Sequence, residues 1–95
     1  MGTTEGRTQR ITAVDIRNGR IRVPHDAKVL FPAVRTDVAL SIRGRSLNSR
    51  WDPRFGPDQE RSGVLGIGRR LLPDLVQTDE VLTITVGGDG RIRLS

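Results

Sequence analysis

Short runs of alternating apolar and polar residues, each stopped by glycine or proline, constrain this chain most. Arg20-Ile21-Arg22-Val23-Pro24 puts Ile21 and Val23 on one side and Arg20 and Arg22 on the other. That is the period of a strand buried on one face. Pro24 ends it because proline has no N–H to donate. Asp37 to Arg43 repeats the pattern through Val38, Leu40 and Ile42, and Gly44 breaks it. Arg45 to Trp51 reads as the returning strand of a hairpin. Further strands are predicted over Arg61 to Ile67, Glu80 to Val86 and Arg91 to Leu94, with Gly87-Gly88-Asp89-Gly90 as a turn.

Helical signals are few. Thr12-Ala13-Val14-Asp15 fits a short capped helical turn. Asn18-Gly19 predicts a tight turn, because both residues tolerate positive φ. Asp26 is placed to cap a short helix over Ala27 to Phe31, which Pro32 stops. Arg69 to Val76 has helical character despite Pro73. The stretch from Asp52 to Glu60 holds Pro53, Gly56 and Pro57 and is predicted to be a loop. About six or seven short strands with two short helical pieces predict a mainly β fold, a small barrel or sandwich.

The chain has 95 residues, and about 100–200 residues make one domain, so one small domain is expected. Met1 to Thr8 is small and polar. Residues 1–9 therefore read as a flexible lead-in and 10–95 as a single domain. The absence of cysteine excludes disulfides and thiolate zinc sites. One histidine, His25, excludes a histidine-rich metal centre. No cofactor is expected. No apolar run approaches the ~18 residues of a membrane span, and the N-terminus lacks the apolar core of a signal peptide. A cytoplasmic location away from membranes is the expectation.

No catalytic constellation is legible. His25 has no Ser or Cys nucleophile in a recognisable context, and it reads either as a surface residue or as a base or phosphate contact. Gly66-Ile67-Gly68 completes neither a phosphate-loop nor a dinucleotide motif. The domain is expected to be non-catalytic.

Charge carries more information. The formal net charge is +5, and of the 16 basic residues only Lys28 is lysine. Arginine offers a planar fork of donors that matches phosphates and guanine edges; codon bias also enriches it. The arginines gather in two places. Arg17, Arg20, Arg22 and Lys28 surround Asn18 and the first strand. Arg43, Arg45, Arg50, Arg54 and Arg61 flank the long loop, which also carries Gln59 and, just beyond it, Ser62. Arg with Asn or Gln is the pair of side-chain types that reads purine edges, and the remaining Arg positions the backbone through phosphates. Arginine on the outer face of a strand is equally at home simply solvated. Trp51 is read as core filler at a strand end or as a contact to sugar-phosphate at the mouth of the loop. Phe55 either packs back onto the loop or touches a base.

The order of residues from Asp15 to Pro32, with its basic Asn-containing arm, alternating strand, Pro, short helix and Phe-Pro, resembles the start of the B3-type DNA-binding domain. The similarity continues through Trp51, the loop to Ser62, and Leu82-Thr83-Ile84. It implies a seven-stranded open pseudobarrel with two short helices, in which two arms grip duplex DNA in the major groove. By position the arms are Arg17 to Arg22 and Trp51 to Ser62. His25 stands where plant members usually carry Lys, and the first arm is one residue shorter. The bacterial branch associated with restriction endonucleases is therefore the closer likeness. The resemblance implies sequence-specific DNA binding by a monomeric, nucleoid-associated domain, with any nuclease as a separate module or subunit. The candidate contacts are Arg17, Asn18, Arg20, Arg22, His25, Lys28, Arg45, Arg50, Trp51, Arg54, Gln59, Arg61 and Ser62.

Two other readings remain open. Gly19-Arg20-Ile21-Arg22-Val23-Pro24 also suits a swapped-hairpin transcription regulator, although such domains are about half this length. The acids near both arms suit a protein-interaction barrel whose arginines are only solvated.

Overall fold

The computed structural model describes residues 5–54 and 61–95. Its strands are β1 (Glu5–Arg7), β2 (Arg20–Val23), β3 (Thr36–Ile42), β4 (Arg45–Asp52), β5 (Gly63–Gly66), β6 (Thr83–Val86) and β7 (Ile92–Leu94). Two α-helices, α1 (Ala13–Asn18) and α2 (Leu72–Leu75), and a 3-10 helix over His25–Leu30 complete it. The strands form one mixed sheet in the order β1-β6-β7-β3-β4-β5-β2. All pairs are antiparallel except β3 with β7. The sheet curls into a nearly closed pseudobarrel with an open seam between its end strands. Gln9 N–H donates to Arg22 O across that seam, at 2.9 Å.

Alternation sets the inside. Ile21, Val23, Leu40, Ile42, Trp51, Leu65, Ile84 and Leu94 are all fully buried. Cross-strand register stacks them in layers, because paired residues point to the same face. Ile21 pairs with Leu65, which pairs with Trp51. Ile42 pairs with Leu94, which pairs with Ile84. The β3–β4 hairpin turns on Arg43 (φ 48°) and Gly44 (φ 86°). Two successive left-handed residues match the strand twist, which is why glycine stands at the second.

Four expectations are corrected. The lead-in is not unstructured throughout: Glu5–Arg7 is a strand paired with β6. Thr8 is buried, with its N–H donating to Leu82 O and its Oγ1 accepting from Leu82 N–H. The sequence hides this strand because the gain comes from backbone pairing along β6, and a segment with no apolar side chain shows no period. Second, the tight turn expected at Asn18-Gly19 is the end of a helix, with positive φ at Gly19 and not at Asn18. Thr12 and Asp15 form a reciprocal capping box at the start of α1, and Gly19 (φ 66°) is its left-handed C-cap. Third, the 3-10 helix begins at His25 after Pro24, and Asp26 lies in its first turn without capping it. Fourth, the strand expected from Glu80 begins only at Thr83, because residues 77–80 turn toward Arg43.

Candidate nucleic-acid interface

The polar half of each alternation builds the outer face. Gly66 pairs with Arg20 on one side and with Arg50 on the other. Arg50 pairs in turn with Asp37. Arg20, Gly66, Arg50 and Asp37 thus form one outward row across β2, β5, β4 and β3. Strand spacing puts the Arg20 and Arg50 backbones about 10 Å apart, with no side chain between them. A second outward row runs Arg22, Val64, Asp52. Asp52 Oδ2 lies 3.7 Å from Arg35 Nε and its Oδ1 accepts from Arg54 N–H at 2.9 Å. Arg20 and Arg22 of one arginine group and Arg50 of the other, distant in the sequence, therefore meet on one face.

Asp15 organises the β2 side of that face. It is 1% exposed. Its Oδ1 accepts from Arg20 Nε at 3.3 Å and from Arg22 Nε at 3.0 Å. Its Oδ2 accepts from Arg22 Nη2 at 3.1 Å and from Thr12 N–H at 3.0 Å. Burial pushes its pKa up, but hydrogen bonds from Arg22, Thr12 and Arg20 and the Arg22 charge outweigh that and hold it below its ordinary value. The carboxylate is therefore ionised and neutralises part of the cluster.

Beyond Asp52 the face opens into a cleft of about 580 Å³ lined by Ala33, Val34, Arg35, Asp52, Pro53, Arg54 and Arg61. Arg54 holds a left-handed backbone (φ 54°). At the other end, Gly19 is pressed onto the backbone after β5. A Cβ there would fall 2.9 Å from Arg69 Cα. Ile67 and Gly68 both donate to Gly19 O. This junction sets the backbone of exposed Arg69 against Gly19, the residue that follows exposed Arg17 and Asn18 at the end of α1.

The expected contact residues divide. Arg17, Asn18, Arg20, Arg50, Arg54 and Arg61 lie on or beside the basic face. Arg22 is there as well, but it is tied down by Asp15 and by Arg10 O at 3.3 Å. Ser62 is half-buried and its Oγ accepts from Gln9 Nε2 at 3.0 Å. His25 is exposed at the start of the 3-10 helix, beside Lys28, Val29, Phe31 and Ala33. Arg45 lies at the opposite end of β4, next to the hairpin turn. Gln59 and Phe55 fall outside the described residues.

One placement corrects the sequence reading, and a second decides between the two readings of Trp51. Lys28 is buried, and its Nζ donates to Pro53 O at 2.7 Å. It ties the 3-10 helix to the end of β4 and is not part of an exposed basic cluster. Trp51 is 0% exposed, stacked on Phe31 with ring centroids 4.4 Å apart, and its Nε1 donates to Pro32 O at 2.8 Å. It is core, with its polar handle satisfied.

Arg35, Arg69 and Asp15 escaped the sequence reading as site residues. Arg35 stands in a segment with no clear period, and Arg69 at the start of a stretch read only as helical. The signal for Asp15 was present: its capping partner Thr12 placed it inside the first turn of α1, just ahead of the outward arginines of β2.

Among the described residues, no group of His, Cys, Asp or Glu is arranged to hold a metal ion. No helix among them is long and apolar enough to cross a membrane. No protein-family model matches the chain, and neither does any curated protein.

Proposed function

We propose that this chain is a sequence-specific double-stranded DNA-binding domain of the B3-like kind, using the outer face of β2, β5 and β4 in the major groove. The observation that carries the reading is the row Arg20–Gly66–Arg50. Two arginines whose backbones stand about 10 Å apart, on either side of a glycine that lets a backbone approach, suit a phosphodiester strand and the base edges beside it. Arg54, Arg61 and Arg69 extend the positive face at its ends. The domain binds as a monomer in the cytoplasm, at the nucleoid, and supplies recognition for a nuclease module or subunit. β2 finds its partner β5 within the chain, so no swapped hairpin is needed to complete the sheet.

Selection from a random short-duplex library near physiological salt tests this. Enrichment of one short motif is the expected result. Specific binding should weaken with salt at a log–log slope near −0.9 per phosphate contacted. A second reading, a protein-interaction barrel, is favoured by Val29 and Val34, 80% and 64% exposed near the 3-10 helix. No retention of duplex at low salt would overturn the DNA reading in its favour.

A further inference from the structure

A buried carboxylate at the edge of a face built for a polyanion works against that face's charge. Asp15 costs the face one positive charge, yet both arginines of β2 are bonded to it. The two bonds differ in what they leave over. Arg22 donates from Nε and Nη2 to Asp15 and from Nη2 to Arg10 O. Arg20 is held through Nε alone. Its two terminal nitrogens have no protein partner among the described residues, and its side chain is 35% exposed. A guanidinium fixed at Nε presents the remaining donors as a fork of set orientation. A fork oriented before binding loses less side-chain freedom when it binds. A supporting residue of this type also decides how exactly a recognition group is placed.

We propose that Asp15 is a positioning residue that aims the Arg20 fork at a base edge of duplex DNA, exchanging overall affinity for sequence discrimination. The inference rests on the DNA-binding reading above.

The test compares one duplex carrying the selected motif with a scrambled duplex of equal length. Asp15→Asn removes a negative charge and releases Arg20. Affinity for the motif is expected to fall about 10-fold, while affinity for the scrambled duplex holds or rises. Asp37→Asn adds the same charge on the same face without touching Arg20, and should raise both affinities alike. A purely structural Asp15 would lower both affinities together; that result, or an unchanged ratio, overturns the proposal. A second measurement uses the unsubstituted protein, so it does not depend on the variant folding. The Nε protons of Arg20 and Arg22 should exchange with solvent more slowly than that of exposed Arg17, with and without the motif duplex bound. Exchange at Arg20 as fast as at Arg17 overturns the proposal. An unsubstituted protein that selects no motif and retains no duplex overturns the DNA reading, and this inference with it. Selection by the unsubstituted protein with an unchanged ratio in Asp15→Asn overturns the positioning role alone.

Discussion

Gly63 packs against the outer edge of the Trp51 indole, at Cη2, Cζ3 and Cζ2. A Cβ added to Gly63 would overlap Cη2 and sit 2.7 Å from Cζ3. The contact is rigid, because Trp51 is also held by stacking on Phe31 and by its bond to Pro32 O. Gly63→Ala therefore overpacks a core that cannot give way. We expect a loss of about 1–3 kcal/mol, read by urea denaturation with the lone tryptophan as the fluorescent probe. Unchanged stability would mean that the indole can shift.

Gly66 makes the opposite prediction. A Cβ there would meet only Arg50, at the ordinary distance of 3.7 Å. Gly66→Val should fold at least as well, since valine favours strands over glycine. It should bind DNA less well, because the new side chain stands between Arg20 and Arg50. Titration of the selected duplex beside a thermal melt separates the two effects. Intact binding would move the interface off this row.

Lys28→Met keeps the aliphatic stem but removes the ammonium that donates to Pro53 O. A hydrogen bond to a charged group is worth about 1.5–3 kcal/mol, so a loss of that order is expected. The salt slope of DNA binding should not change, because Lys28 is buried and does not face a phosphate. A slope shallower by about one contact would return Lys28 to the interface.

Acid should weaken the fold partly through Asp15. Its folded pKa lies below the ordinary 3.8. The unfolded chain therefore binds this proton more readily than the folded one, and ionised Asp15 stabilises the fold above that value. The contribution fades as pH falls below 3.8 toward the lower folded pKa. Glu80, held below its ordinary 4.5 chiefly by the hydrogen bond from Arg43, acts in the same direction. Urea midpoints compared at about pH 6 and about pH 3 should differ less in Asp15→Asn than in the unsubstituted chain. An equal difference would assign the acid sensitivity elsewhere.

Arg45 and Arg50 show how much of the site was legible. Both stand on β4 within the same arginine-rich stretch, and the sequence treats them alike. Arg50 falls in the outward row with Gly66, whereas Arg45 is opposite Ile42 at the hairpin end. Arg45→Ala should change DNA affinity by no more than about twofold, as an ordinary surface substitution.

The strands β2, β3 and β4, the inward residues of β2 and β3, the hairpin at Gly44 and the capping box at Thr12 follow from local pattern, because side-chain direction repeats every two residues and a cap needs only three neighbours. The mainly β class was legible for the same reason, whereas the open pseudobarrel, as against a sandwich, followed from the resemblance alone. The tertiary structure decided everything that depends on which distant residue lies alongside. It put Gly66 between two arginines and closed Trp51 under Gly63. It also turned Lys28 inward to a backbone carbonyl, and drew Glu5–Arg7 onto the edge of β6. A charge carries no mark of whether it will meet water, a carboxylate or a carbonyl. Only the pairing of segments far apart in the chain sets that, by fixing which groups lose their water together.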